Sequence, residues 1–340
     1  MSRITVSGLG AVSSAGWGVP ALLDAIANNR PPEISELERT TGEGVVVRTS
    51  VARVPALDDR SRLPRDQRLR RASAVGKFGA AAAFEALGSE RFEASRTGDL
   101  RLGVVCTMMN GCVNYSNRFY GEVLRDPGTA SPILFPETVY NAPSSHLSAV
   151  TRSSAPNDTL VGDGAEFFTG LELAAEWLER GDCDACLVVA PEETDWLSAE
   201  AMGYYSHRML PSEGAAALLL EKGGSGPCLL AVPDPVNYAE EADRLAGFAR
   251  VWQDLDVSDN GHTLWSDGRT GVARFDRAES SVEWNGPRLS VRRLLGEALG
   301  AAAGLQTVAA LGVLEREGFE RAVVTAVGGN EGLGGAVFGR

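Results

Sequence analysis

The 340-residue sequence lacks a long run of purely apolar residues and a surplus of positive charge. Its most apolar long run, residues 298–314, contains Gln306 and Thr307 among many Ala and Gly residues. That composition predicts a closely packed buried helix rather than a membrane span. The formal net charge of −13 makes nucleic acids and anionic membranes poor partners for the surface as a whole. The first residues show no signal-peptide pattern, so we predict a cytoplasmic protein.

Histidine is rare, and the cysteines form no recognisable ligand set. The chain has 3 histidines and 5 cysteines, and an odd number of cysteines without a signal peptide indicates reduced thiols. Cys183 and Cys186 have the C-x-x-C spacing, but the sequence offers no second pair and no nearby histidine. A glycine cluster after the first strand has Ser13 where a dinucleotide fingerprint needs its third glycine. The sequence thus predicts no metal and no cofactor.

The sequence predicts the same order of elements twice. Residues 158–193 indicate a strand, a turn, an amphipathic helix and a second strand, and residues 289–329 repeat that order. A Gly- and Pro-rich linker, residues 222–227, lies between the copies. Such alternation predicts an α/β fold whose sheets carry helices on both faces. Small apolar residues at 74–87 and 168–178 predict two helices for a buried middle layer.

The stretch TLVGDGAEFF (residues 159–168) predicts a strand, a sharp turn and the start of a helix. Proteins often present a nucleophile at such a turn, because the N–H groups of a helix N-terminus favour negative charge. Here the turn carries Asp163 and Gly164 and no Cys, Ser or Thr. We predict that Asp163 caps the helix.

Four segments resemble motifs of the β-ketoacyl synthases, which are condensing enzymes of the thiolase fold: ITVSGLGAVSSAG, SPILFPETVYNAPSSHLS, SEGAAALLLEK and RLSVRRLLGEALGAAAG. The resemblance runs through residues 1–222 and is looser in residues 223–340, which look shortened between Pro227 and Thr263. It implies a thiolase-like α/β fold of two related strand–helix halves, 1–222 and 223–340, stacked in a layered αβαβα body.

The resemblance also implies that the catalytic groups of these enzymes are missing. The acyl-accepting cysteine of the family aligns with Gly164, one histidine with Glu297 and the paired lysine with Arg292. The second histidine aligns with Asp267 or Gly268. Glycine has no side chain to acylate, and a carboxylate at position 297 would repel a developing enolate. The chain alone is therefore predicted not to catalyse condensation.

The resemblance further implies a role as a chain-length-factor-type subunit of a type II polyketide synthase, for a polyketide or polyene acyl chain. Its partners would be an active ketosynthase, in a heterodimer, and an acyl carrier protein that docks mainly on that ketosynthase. Residues 106–120 correspond to the acyl pocket of the family, and Leu134 to a residue that reaches into the neighbouring subunit. The predicted substrate-binding residues are Met108, Met109, Cys112, Tyr115, Phe119 and Leu134.

Two alternatives remain open at this stage. The first is a hydrolase or acyltransferase that acts on acyl thioesters with Asp163, Glu166 or Ser144 and His146. The second is a homodimeric acyl-binding scaffold without an enzymatic partner. For each predicted pocket residue, ordinary core packing is the competing interpretation, and His146 is more simply explained as a packed or hydrogen-bonded core residue.

Overall fold

One sheet of 12 strands runs through the computed structural model of the protein, which describes residues 3–57 and 59–340. The strands are β1 (Ile4–Ser13), β2 (Gly16–Trp17), β3 (Ser35–Thr40), β4 (Val46–Val51), β5 (Leu102–Met108), β6 (Asn157–Val161), β7 (Ala185–Glu192), β8 (Gly214–Lys222), β9 (Cys228–Ala231), β10 (Val236–Asn237), β11 (Thr263–Ser266), β12 (Arg288–Leu289), β13 (Arg321–Val327) and β14 (Gly332–Gly339). β3 and β4 form a separate hairpin. The helices are α1 (Val19–Ala27), α2 (Ala74–Thr97), α3 (Val113–Arg125), α4 (Ala142–Thr151), α5 (Glu166–Arg180), α6 (Trp196–Tyr205), α7 (Glu241–Leu255), α8 (Ala273–Ser280), α9 (Val291–Leu295) and α10 (Ala302–Glu317).

The strand order is the same in the two parts of the chain. The path β6-β5-β7-β8-β1 is followed by β9-β14-β13-β11-β12 on the other side of β1. When the five main strands of each part are numbered in chain order, their spatial order from the outer edge of the sheet to its centre is 3-2-4-5-1 in both parts. The directions agree as well, because β5 is parallel to β6 and β7 while β8 is antiparallel to β7 and β1, and the same holds for the corresponding strands of the second part. The two parts meet where Thr5 of β1 pairs with Cys228 of β9. The exact division at residue 222 stays a prediction.

Alternating residues of the strands separate three apolar cores. Leu187 and Val189 of β7 pack in a core with α2, while Val188 packs in a second core with α5 and α10. Along β13, Val324 joins that second core and Val323 joins a third core with α7. Successive side chains of a strand point to opposite faces, so each part of the sheet is covered on both faces. α5 and α10 lie between the two parts of the sheet. The order of layers is therefore helix, first part of the sheet, helices, second part of the sheet, helix. The predicted α/β class and layered αβαβα order are confirmed.

The two helices of the middle layer are α5 and α10. Each ends at a glycine in the left-handed conformation, Gly181 (φ 77°) and Gly318 (φ 82°), which closes the helix without a Cβ clash. The prediction that residues 74–87 also belong to the middle layer is wrong, because α2 packs on β1, β7 and β8, on the face opposite to α5, and against α4. None of the helices in the described part of the chain is long and apolar enough to cross a membrane.

Candidate functional site

The turn after β6 joins the two parts of the chain through one carboxylate. Asp163 is buried, and its Oδ1 accepts a hydrogen bond from the backbone N–H of Ala165 at 3.1 Å, at the start of α5. Its Oδ2 accepts from the N–H groups of Glu331 (3.1 Å), just before β14, and of Gly332 (2.9 Å), the first residue of β14. A Cβ at Gly328 would lie 1.7 Å from Oδ2, so that turn requires glycine for its close approach. The prediction that Asp163 caps the helix is wrong, because Ala165 is the N-cap of α5 and no side chain caps the helix there. Asp163 instead binds the N–H of Ala165 and forms a contact between the two parts.

The residue after Asp163 is Gly164, which has no side chain. It lines a cavity, and a Cβ built on it would have only the carbonyl oxygen of Leu299 within 4 Å, at 3.3 Å. The position that aligns with the acyl-accepting cysteine is therefore open. No group at this residue could carry an acyl chain.

A buried ion pair occupies the position that aligns with the first catalytic histidine. Arg292 and Glu297 are 8% and 4% exposed, and Nε of Arg292 donates to Oε2 of Glu297 at 2.6 Å. Nη2 of Arg292 donates to the same oxygen, and Oε1 of Glu297 accepts from the N–H of Leu299 at 2.8 Å. Burial lowers the pKa of Arg292, but the charge and hydrogen bonds of Glu297 outweigh that effect and hold it above its usual value. Both side chains line the cavity beside Gly164.

The two candidates for the second histidine position lie in different surroundings. A Cβ at Gly268 would lie 3.0 Å from Nη1 of Arg292, so Gly268 is next to the ion pair. Asp267 is fully buried and binds Arg269 (2.9 Å), Arg288 and Ser290 (3.0 Å). Asp267 is therefore a structural carboxylate held by two arginines, and it does not line the cavity.

The cavity is small and mostly apolar. Its volume is about 110 Å³, and it lies where β6, α6 and the residues before α10 converge. Sequence reasoning missed α6 and Phe275, although residues that follow the carboxyl end of a strand commonly line the site of an α/β protein. The cavity is also lined by Met109, Asn110, Ser198, Ala201, Met202, Tyr205, Met209, Phe275, Val327, Gly329 and Asn330.

Of the six predicted pocket residues, Met109 lines the cavity in the described chain. Met108 is fully buried as the last residue of β5. Cys112 packs in a small cluster with Val75 and Ala142, and burial raises the pKa of its thiol to about 12.

The other three predicted pocket residues are occupied elsewhere. The hydroxyl of Tyr115 donates to the carbonyl of Arg71 at 3.1 Å. Phe119 packs on Phe135 with ring centroids 5.6 Å apart. Leu134 is 7% exposed and lies outside the cavity lining. A role for these residues in binding an acyl chain stays a prediction.

One buried carboxylate that sequence reasoning did not find holds the backbone next to Met109. Glu192 is fully buried and accepts from the N–H groups of Met109 (2.9 Å), Asn110 (3.1 Å) and Gly300 (3.2 Å). Burial raises its pKa to about 8, against the opposing effect of these three donors. Glu192 thus fixes one wall of the cavity and connects it to the residues before α10.

Ser144 and His146, two of the groups considered for a hydrolase, do not form a nucleophile–base pair in the described residues. Ser144 Oγ donates to the carbonyl of Asn141 at 3.0 Å and lies 2.9 Å from Oγ1 of Thr159. Nε2 of His146 is bonded to both carboxylate oxygens of Glu137, at 2.9 and 3.0 Å. Within residues 3–57 and 59–340, no hydrogen bond joins Ser144 to His146. A serine without its base is a weak nucleophile.

The buried carboxylate of Glu279 predicts a pH-dependent stability. Its Oε1 accepts from Gly268 N–H (2.8 Å) and from Thr325 Oγ1 (2.5 Å), and its buried Oε2 has no partner among the described residues. Burial and the charge of Asp267 raise its pKa to about 7, although the hydrogen bonds from Thr325 and Gly268 and the charge of Arg292 lower it. The unfolded chain releases this proton above pH ~4.3, whereas the folded chain holds it up to about 7. Folding stability from this proton is therefore present at low pH and is lost as pH rises through 7.

We expect Glu279→Gln to remove this part of the pH dependence. Between pH 5.5 and 7.5 the wild type should lose about 2 kcal/mol more unfolding free energy than the variant, since one pKa unit corresponds to about 1.4 kcal/mol. Urea unfolding at the two pH values measures the difference. Glu283→Gln, at an exposed glutamate of the same region, is the matched control. Equal pH dependence in wild type and Glu279→Gln would show that Glu279 is ionised throughout.

Within the layered fold, the turn after β6 places the open Gly164 beside the buried pair of Arg292 and Glu297. No protein-family model matches the chain, and no curated protein matches its sequence. Solved structures match it over nearly its whole length. A chain of the complex of the ketosynthase ApeO with its chain length factor ApeC, from Xenorhabdus doucetiae, has a TM-score of 0.81 at 15% identity and covers 99% of this chain and 98% of its own.

Two further structures agree. A chain of the ishigamide ketosynthase/chain length factor has a TM-score of 0.77 at 18% identity, and 99% of both chains is covered. A chain of AntDE:AntF, in which a type II polyketide synthase acyl-carrier protein is in complex with its ketosynthase, has a TM-score of 0.79 at 16% identity, again with 99% of both chains. This chain therefore has the thiolase-type fold of ketosynthases and chain length factors, as predicted.

Proposed function

We propose that this protein is a non-catalytic, chain-length-factor-like subunit. It pairs with an active ketosynthase and shapes the tunnel in which a polyketide or polyene acyl chain grows, while an acyl carrier protein docks mainly on that ketosynthase. The observation that carries the proposal is the cavity at the nucleophile turn, where Gly164 is open and Arg292 is bound to Glu297. A subunit that keeps the fold and lacks the reacting groups can still contribute walls to a shared pocket.

The chemistry of the cavity supports a role other than condensation. Thioester exchange needs a nucleophile at the turn, and Gly164 supplies none. Stabilising an enolate needs hydrogen-bond donors directed at the developing charge. Glu297 directs a carboxylate towards the same space and holds the guanidinium of Arg292.

An exposed apolar surface supports pairing with another chain. β6 lies at one end of the sheet path, next to β5, and the edge of a sheet invites pairing with a strand from another molecule. Large apolar side chains are exposed around this edge and on the preceding segments, a pattern typical of an interface. They are Tyr120, Leu124, Ile133, Phe135, Val139, Tyr140 and Val161. We expect the interface with the ketosynthase to bury more than ~2,000 Å² here.

Met109 is expected to limit the length of the product. Each methylene of a growing chain gains only ~0.8 kcal/mol when it leaves water, whereas overpacking a filled cavity costs ~1–3 kcal/mol. Met109→Ala removes bulk from the cavity wall and should therefore shift the products of the reconstituted pair towards longer chains. Mass spectrometry of carrier-bound products measures the shift.

Two further variants make this experiment specific. Met108→Ala removes the same side chain from the core next to the cavity, so it should lower stability without lengthening the products. Leu134→Ala tests whether that residue contributes to the tunnel across the interface, as its alignment predicts. Formation of the heterodimer is verified for each variant by size-exclusion chromatography. An unchanged length distribution for Met109→Ala in intact heterodimers would contradict the proposed tunnel role.

A further inference from the structure

A buried arginine with two unsatisfied donors lies behind the wall of the cavity. Arg244, in the first turns of α7, is 5% exposed. Its guanidinium carbon is 5.0 Å from the ring centroid of Tyr238 and 5.4 Å from that of Phe275. Its Nε and Nη1 are buried and have no hydrogen-bond acceptor among the described residues. A buried cation whose donors are unsatisfied is costly, and the two rings offset that cost only in part.

Arg244 and two more arginines line a second cavity. This cavity, of about 120 Å³, lies between α7 and α8, and Arg244, Arg274 and Arg277 line it. Among the described residues that line this cavity, one is acidic, namely Glu241. Its Oε2 is 2.8 Å from Nη2 of Arg274. Neither Arg244 nor Arg277 has a carboxylate within 4.0 Å in residues 3–57 and 59–340. Three positive charges thus face one negative charge.

We propose that Arg244, Arg274 and Arg277 form a binding site for a phosphate group, either free phosphate or the end of a phosphate ester. A phosphate carries about −1.5 to −2 charges at pH 7, which matches the excess of two positive charges, whereas a carboxylate would leave one charge uncompensated. The planar donors of arginine suit the oxygens of phosphate in a bidentate geometry.

The position of the site relates it to the cavity at Gly164. Phe275, which contacts the guanidinium of Arg244, also lines that cavity. Tyr238, the second ring, donates its hydroxyl hydrogen to the carbonyl of Gly328, another lining residue. A bound phosphate would therefore order two side chains that support the wall of the cavity. The proposal concerns this chain's own arginines and does not depend on the pairing with a ketosynthase.

Isothermal titration calorimetry with inorganic phosphate at fixed ionic strength tests the site on the full-length protein in the form in which it purifies. Wild type should bind, and Arg244→Met should lower the affinity at least ~10-fold, equivalent to ~1.4 kcal/mol. Arg274→Met, at a more exposed residue, should lower it about 2–5-fold. Arg250→Met, at an exposed arginine of the same helix, should bind like wild type.

A thermal readout separates a binding role from a structural one. Phosphate should raise the melting temperature of wild type and of Arg250→Met, and leave that of Arg244→Met unchanged. If Arg244→Met fails to fold, the phosphate affinity of Arg274→Met decides between the two roles. The side chain of Arg274 is more than half exposed, so we expect this variant to fold.

Butyl phosphate distinguishes the two sources of the ligand. Binding as tight as that of inorganic phosphate indicates that the site takes the end of an ester, and much weaker binding indicates a site for the free ion. Absence of phosphate binding by wild type, or equal binding by wild type and Arg244→Met, would overturn the proposal.

Discussion

Purified without a partner, the protein is expected to form no β-ketoacyl product from acyl and malonyl groups on a carrier protein. The reason is the absence of reacting groups at Gly164 and Glu297 and next to Gly268. Gly164→Cys alone is expected to remain inactive as well. A restored thiol would still lack a base and the donors that stabilise the enolate, and such groups contribute factors of ~10² to 10⁴ each.

The structure makes Gly164→Cys an informative variant. A Cβ at this position has one neighbour within 4 Å, the carbonyl oxygen of Leu299 at 3.3 Å, so the new side chain needs only a small local adjustment. A negative result can therefore be checked against an unchanged melting temperature, with Gly164→Ala as the matched variant. An active ketosynthase serves as the positive control. Clear product from the isolated chain, or from Gly164→Cys, would refute the non-catalytic role.

Glu297→Ala is expected to destabilise the fold by about 3–5 kcal/mol. It leaves the buried guanidinium of Arg292 without its carboxylate, and an uncompensated buried charge is among the costliest single changes. The double variant Arg292→Met/Glu297→Leu should recover most of this loss, because it removes both charges together. Urea unfolding of the protein in the form in which it purifies measures the differences.

The control for this prediction is an exposed ion pair. Asp254→Ala removes the partner of Arg250, 3.8 Å away on the surface of α7, and should cost less than ~1 kcal/mol. A cost for Glu297→Ala as small as that of Asp254→Ala would mean that water or another group reaches Arg292. The pair would then not define the wall of the cavity.

The sequence predicted the layers of the fold better than the neighbours of each helix. Continuous apolar strands such as β7 indicate burial on both faces, and the repeated strand–helix order indicates two related parts. The small-residue composition of α2 indicates a helix that is buried all round, but it does not specify which elements cover it. In the structure α2 packs on β1, β7 and β8 and against α4, which the helix composition cannot reveal.

The site was predicted in part for a similar reason. Gly164 and Glu297 could be located from the sequence because each lies at a fixed spacing from a segment that resembles the family. Both line the same cavity in the structure. Met108 and Met109 look equivalent in the sequence, yet the strand ends at Met108, which points into the core, and Met109 reaches the cavity. The phosphate site depends on Arg244 and Arg277, which are 33 residues apart in the chain and meet only when α7 packs against α8.

The contacts of Asp163 also bear on how chains of this kind diverge. Residue 164 faces an open cavity and has few neighbours, so replacements there meet little selection against them. Residue 163 binds two backbone amides of the other part of the chain, and a replacement loses both. Purifying selection on this turn would thus outlast the chemistry that the turn serves in condensing enzymes. In a family alignment, an invariant residue at 163 would report the assembly of the two parts and would say nothing about turnover.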